Sequence, residues 1–99
     1  MRKIVTLCGS LRFFEKMQQT AELLELEKGW CVLTPVAHTL DRDLTPQEID
    51  LLGEIHKAKI DISDAIFVVN VDGYVGNAVK QEIAYAREKG KEVLYLVNK

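Results

Sequence analysis

Apolar residues are spaced along this chain in two alternating ways, as short dense runs and as longer stretches with helical intervals. Lys3–Leu7 (KIVTL) is a compact β-branched run ending at Cys8-Gly9-Ser10, which predicts a strand and its turn. From Phe13 to Lys28, Phe14, Met17, Ala21 and Leu24 recur every three or four residues, predicting a helix that Gly29 closes. Cys31–Val36 (CVLTPV) predicts a second strand whose pairing ends near Pro35, since proline has no amide hydrogen to donate. Residues 37–44 form a polar loop. Thr45-Pro46-Gln47-Glu48 then combines an N-cap threonine, a proline at the first helical position and a glutamate that completes a capping box. The helix it opens runs to about Ile62, with Leu52, Ile55, Lys59 and Ile62 along one face. Ala65–Val71 (AIFVVNV) is almost continuously apolar, as in a strand covered on both faces. Ala78–Lys89 is a third helix stopped by Gly90, and Val93–Val97 (VLYLV) a last buried strand.

The order is therefore βαβαβαβ. Crossovers of this length are right-handed and generate a parallel sheet. The expected fold is a single α/β domain over residues 1–99: a flavodoxin-like, Rossmann-like three-layer sandwich with four parallel strands in the order 2-1-3-4. In that order strands 1 and 3 flank the topological switch point, where α/β proteins hold their ligands. The Cys8–Arg12 turn and the Asp72–Asn77 loop both meet there.

Composition narrows the partners. Apolar residues make up 47% of the chain and charged residues 28%, which suits a globular domain. The net charge of −2 with signs interspersed supplies no basic field for a nucleic-acid polymer or a membrane surface. No apolar stretch approaches the ~20 residues of a membrane span, so a cytoplasmic location is expected. Cys8 and Cys31 both fall in strands predicted to be buried, and no CxxC or Cys/His spacing suggests a metal site. No metal and no cofactor are expected. Trp30 reads most simply as core.

Two segments carry candidate chemistry. Gly9-Ser10-Leu11-Arg12 follows the first strand and opens a helix. A glycine that lets the backbone approach, a serine, free amide hydrogens and the planar fork of Arg12 suit an anion, although a tight turn with a serine cap explains the same residues. The segment is neither a dinucleotide fingerprint nor a phosphate-binding P-loop. Glu82 lies about one turn inside the third helix, near its positive end, with Tyr85 three residues on and on the same face. It is either a solvated acid on a charged helix or a reagent. Asp72, Gly73, Tyr74, Gly76 and Asn77 belong to the loop beside it, and Asp72 and Tyr74 could touch a sugar or base. His56 and Asp61 lie on the second helix.

VTLCGSLRF near the start, KIDISDAIFVVNVDGYVGNAVKQEIAYA in the middle and GKEVLYL at the end resemble the nucleoside 2-deoxyribosyltransferase superfamily, which includes the 2'-deoxynucleoside 5'-monophosphate N-hydrolases. The likeness runs over nearly the whole chain. It implies that Glu82, in QEIAYA, is a nucleophile attacking C1' of the sugar in the manner of a retaining glycosidase; Tyr85, on the same helix face, could orient it. It implies that Cys8, Gly9, Ser10 and Arg12 border the 5' end of the substrate, including its phosphate. Loop residues Asp72, Gly73, Tyr74, Gly76 and Asn77 would lie beside the sugar. Where relatives place an acid for the leaving base, on the helix before strand 3, this chain offers His56 and Asp61. Where relatives carry an aspartate or hydroxyl residues before the glutamate, this chain has Gly76, Asn77, Ala78 and Val79. The resemblance also implies a homodimer or larger homo-oligomer and a small-molecule nucleoside or nucleotide as partner. A non-catalytic nucleotide-binding module on the same fold is the alternative.

Overall fold

The computed structural model describes residues 1–98. The β-branched and large apolar runs form strands β1 (Ile4–Cys8), β2 (Cys31–Leu33), β3 (Ala65–Val68) and β4 (Glu92–Tyr95). All pair in parallel, in the order β2-β1-β3-β4 expected from the alternation of strands and helices. Val5 sits opposite Val32 and Ala65, and Phe67 opposite Leu7 and Leu94, which fixes the register across the sheet. Three helices make the crossovers: α1 (Phe14–Lys28), preceded by a 3₁₀ turn at Leu11–Phe13, then α2 (Pro46–Asp61) and α3 (Asn77–Glu88).

Side chains alternate along a strand, so the central strands show a different set to each face. Leu7 and Val69 pack on Met17 of α1, with Phe14, Ala21 and Leu24 beside it, as the helical spacing predicts. On the opposite face Cys8, Ile66 and Val68 pack with Ile60 of α2 and with Val79, Ile83 and Ala86 of α3. This gives three layers, with α1 on one side and α2 and α3 on the other.

Helix α2 docks differently from its apolar spacing. The face of β1 beneath it carries Thr6 and Cys8, and the helix answers with polar groups. The hydroxyls of Thr6 and Ser63, 2.7 Å apart, converge on the Lys59 carbonyl. Its buried residues are His56 and Ile60, while Leu52, Ile55 and Ile62 stay exposed. The capping box at its start is present: Thr45 accepts from the Glu48 amide at 3.1 Å and Glu48 from the Thr45 amide at 3.0 Å.

The edge strands are shorter and wetter than expected. β2 ends before Thr34 and Pro35, and Cys31 is exposed rather than buried because, among the described residues, nothing pairs with the outer side of β2. β4 is half-buried at most, and Trp30 is half-buried with the Lys3 ammonium 5.0 Å from its ring centre. β3 stops at Val68. Buried Asn70 then clamps the end of the sheet, donating to the Val97 carbonyl and accepting from the Val97 amide, both at 2.9 Å. Past the clamp the chain turns sharply through Asp72 (φ 54°) and Gly73 (φ 80°). Left-handed backbone suits glycine and is tolerated by aspartate, which explains this pair at this corner.

Candidate functional site

The carboxyl ends of β1 and β3 open into a cavity of about 570 Å³, at the switch point where the strand order reverses. Cavities of ~300–1,000 Å³ hold small molecules. Gly9, Ser10 and Leu11 line it from the β1–α1 turn, and Tyr74, Gly76, Asn77, Ala78, Val79 and Glu82 from the β3–α3 segment. Helix α2 supplies the third wall through Ile49, Leu52, Gly53, Ile55, His56 and Lys59, with Pro35, Val36 and Leu44 beside it. Leu52, Ile55 and Lys59 of the α2 stripe are therefore cavity wall and not core, while Ile62 is exposed and not part of it.

Where His56 and Glu82 line the cavity, with Cys8 buried behind them, three elements bring three reactive side chains together. Cys8 ends β1 and is fully buried, His56 comes from the middle of α2, and Glu82 from the second turn of α3. His56 Nε2 lies 3.4 Å from Glu82 Oε1 and 3.4 Å from Cys8 Sγ. The contact to Glu82 is longer than a usual N–H···O bond of ~2.7–3.2 Å, which leaves the carboxylate oxygen room to face the cavity. Burial pushes the Cys8 thiol up from its ordinary range, and the negative charge of Glu82 and a hydrogen bond to it push further. A neutral thiol therefore stands under the carboxylate. The other imidazole nitrogen, Nδ1, is buried with no hydrogen-bond partner among the described residues. Such an orphan costs ~1–3 kcal/mol, and native structures keep few of them.

The two loops at the rim close on each other. The Arg12 guanidinium lies 4.2 Å from the ring centre of Tyr74 and 4.9 Å from that of Phe13, and the two rings meet edge to face at 6.1 Å. Cation–π stacking of this kind is worth ~0.5–1 kcal/mol at an exposed position. A Cβ at Gly76 would come within 3.1 Å of the Tyr74 hydroxyl and push the ring aside by a few tenths of an ångström. Gly9 serves packing as well as the cavity wall: a Cβ would meet the Val69 carbonyl at 3.2 Å and the Met17 sulfur at 3.3 Å. Gly76 caps α3, and among the described residues no side chain satisfies the first amides of that helix, so they can donate to a ligand.

Several expected residues lie elsewhere. Tyr85 does not orient Glu82. Its hydroxyl donates to Asp61 Oδ1 at 2.6 Å, on the seam between α2 and α3, and this bond pushes the phenol up from its ordinary value. Neither Tyr85 nor Asp61 lines the cavity: one turn further along α3, Tyr85 faces α2 rather than the sheet end. Cys8, fully buried, and Arg12, Asp72 and Gly73, at the rim or beyond it, are not cavity wall. Sequence reasoning missed the contribution of Ile49, Leu52, Gly53, Ile55 and Lys59. Their helical spacing with His56 was the available signal, but a stripe facing a cavity reads like one facing a core. Spacing also misses any metal-ligand set drawn from three elements, and Cys8, His56 and Glu82 offer donor atoms within 4.8 Å of one another.

No protein-family model matches the chain, and no curated protein matches it. Among solved structures it is similar to a CMP N-glycosidase, BcmB, from Clostridium botulinum. The TM-score is 0.58 at 20% sequence identity, covering 94% of this chain and 70% of that one. At that identity the likeness is one of fold. Among the described residues, no helix is long and apolar enough to cross a membrane.

Proposed function

We propose that the chain breaks, or exchanges across, the N-glycosidic bond of a 2'-deoxynucleoside or its 5'-monophosphate, with Glu82 as nucleophile. The observation that carries this is the placement of the Glu82 carboxylate against His56, on the wall of a cavity at the carboxyl ends of β1 and β3. The fold likeness to a CMP N-glycosidase and the motif resemblance to the deoxyribosyltransferase superfamily support the same reaction class.

In this reading a Glu82 oxygen bonds to C1' while the bond from C1' to the base nitrogen breaks, its electron pair leaving with the base. Protonated His56, on the same wall, gives its proton to the departing base. Water, or a second base, then attacks C1', the ester to Glu82 breaks, and the proton lost by the attacking group returns to His56. The apolar wall of α2 receives the flat base. Gly9, Ser10 and the amides around them border the 5' end, with Arg12 at the rim for a phosphate. Lys59, whose Nζ donates to the Thr34 carbonyl at 2.9 Å, adds a positive charge on the wall.

The alternative is a nucleotide-binding module without turnover. What favours it is the start of α3, where Gly76, Ala78 and Val79 give the cavity no acid and Asn77 only an amide. Chromatography of a panel of deoxynucleosides and deoxynucleotides after incubation separates the two. Wild type should release free base, and Glu82→Gln should fold, bind nucleotide and lose at least about a thousandfold in rate, as for other removed nucleophiles. Binding without base release in wild type would establish the module. Full turnover in Glu82→Gln would place the nucleophile elsewhere.

A further inference from the structure

We propose that Cys8, His56 and Glu82 form a three-ligand site for a thiophilic divalent cation, zinc above all, where His56 and Glu82 line the cavity. The donors are a sulfur, an imidazole nitrogen and a carboxylate oxygen, from β1, α2 and α3, all within 4.8 Å of one another. Sulfur and nitrogen donors select zinc over magnesium or calcium, which prefer oxygen alone.

The distances fit that ion. A tetrahedral zinc with bonds of ~2.0 Å to nitrogen and ~2.3 Å to sulfur has ligand-to-ligand edges of roughly 3.3–3.6 Å. His56 Nε2 is already 3.4 Å from Cys8 Sγ and 3.4 Å from Glu82 Oε1. The remaining pair, Cys8 and Glu82, lies within the same 4.8 Å, and the Glu82 side chain is partly exposed at 24%. Three protein ligands leave a fourth position, as in catalytic rather than structural zinc sites. His56 and Glu82 line the cavity, so an ion would arrive from that side. On binding, the Cys8 proton passes to solvent and the imidazole keeps its proton on Nδ1, so that thiolate and Nε2 lone pair both reach the metal. A cation between Cys8 and Glu82 also offsets the repulsion that two anionic groups at this spacing would feel.

The inference does not rest on the glycosidase reading, and occupancy opposes it: a metal held by Glu82 removes the free carboxylate. The test is direct titration of the full chain, purified free of metal, with cobalt(II) and then zinc. One cobalt per chain should bind and produce a near-ultraviolet thiolate-to-cobalt charge-transfer band, with intense visible bands of a tetrahedral ion, which zinc abolishes by displacement. The charge-transfer band should persist in Cys31→Ser and vanish in Cys8→Ser. Glu82→Gln should bind at least about tenfold more weakly, since losing even an outer hydrogen-bond partner of a ligand costs metal sites ~10–100-fold. Glu82→Gln alters a partly exposed side chain, so it decides the matter even if Cys8→Ser fails to fold. A band that never saturates at one equivalent, that survives Cys8→Ser, or that requires Cys31 would overturn the site, as would undiminished affinity in Glu82→Gln. Cobalt binding without base release in the metal-free chain defeats only the glycosidase; base release without cobalt binding defeats only this site.

Discussion

Cys8 and Cys31 are the same residue in two electrostatic settings. Cys31 lies exposed on the edge strand, whereas Cys8 is fully buried beside Glu82, with its thiol pushed well above its ordinary value. Only the thiolate attacks alkylating reagents. Peptide mapping after brief iodoacetamide treatment at mildly alkaline pH should therefore find the adduct on Cys31 and none on Cys8 until the protein is unfolded. Equal labelling in the native protein would remove the buried thiol from under Glu82. Arg12 belongs to the same scale. Replacing it with alanine removes a charged hydrogen-bond donor worth ~1.5–3 kcal/mol to a phosphate, or roughly ten- to a hundredfold in affinity. Calorimetric titration should show that loss for nucleoside monophosphates and little change for nucleosides; equal losses would leave Arg12 only its stacking on Tyr74. Among single residues, Glu82 was legible because the switch-point loop leads directly to it. Its partners were legible only in part. The family resemblance offered His56 beside Asp61, and three-residue spacing pointed to Tyr85, whereas contacts between elements gave Glu82 His56 and Cys8, from 26 and 74 positions away.

At the scale of elements, local chemistry was the most readable. The Thr45-Pro46-Gln47-Glu48 start of α2 is present as a full capping box, with Arg42 added as a bidentate partner to Glu48 at 2.8 and 2.9 Å. The Arg42 hydrogen bonds first, and the Thr45 amide second, lower the Glu48 carboxyl from 4.5 to about 2. Because the folded-state value is depressed, the stabilisation is present above the unfolded value near 4.5 and is lost as pH falls towards 2. Urea unfolding of wild type and Glu48→Gln should thus show wild type more stable at neutral pH, with the gap closing between pH 4.5 and 2. A gap that persists unchanged at pH 2 would contradict the charged capping box. The strands were legible in existence and less so in extent, since an apolar run does not show where pairing stops. Asn70 ends β3 by clamping Val97, a contact across 27 positions that no local pattern contains.

At the scale of the molecule, the sheet order followed from the alternation of strands and helices with the handedness of crossovers, and the switch point followed from the order. The cavity did not, because its third wall is the α2 face carrying Leu52, Ile55 and Lys59, and helical spacing does not say whether such a face meets a core or a cavity. Knowing which end of the sheet to examine was nonetheless enough to find Glu82 on its wall. The central claim is that this carboxylate becomes covalently attached to a sugar. A 2'-fluorinated deoxynucleoside or its monophosphate tests it most directly, because fluorine slows breakdown of the ester more than it prevents attachment. After incubation and proteolysis, mass spectrometry should find the mass of one fluorosugar on the peptide containing Glu82, and none on the same peptide from Glu82→Gln. Base release with no such adduct, or an adduct on any other residue, would contradict the account.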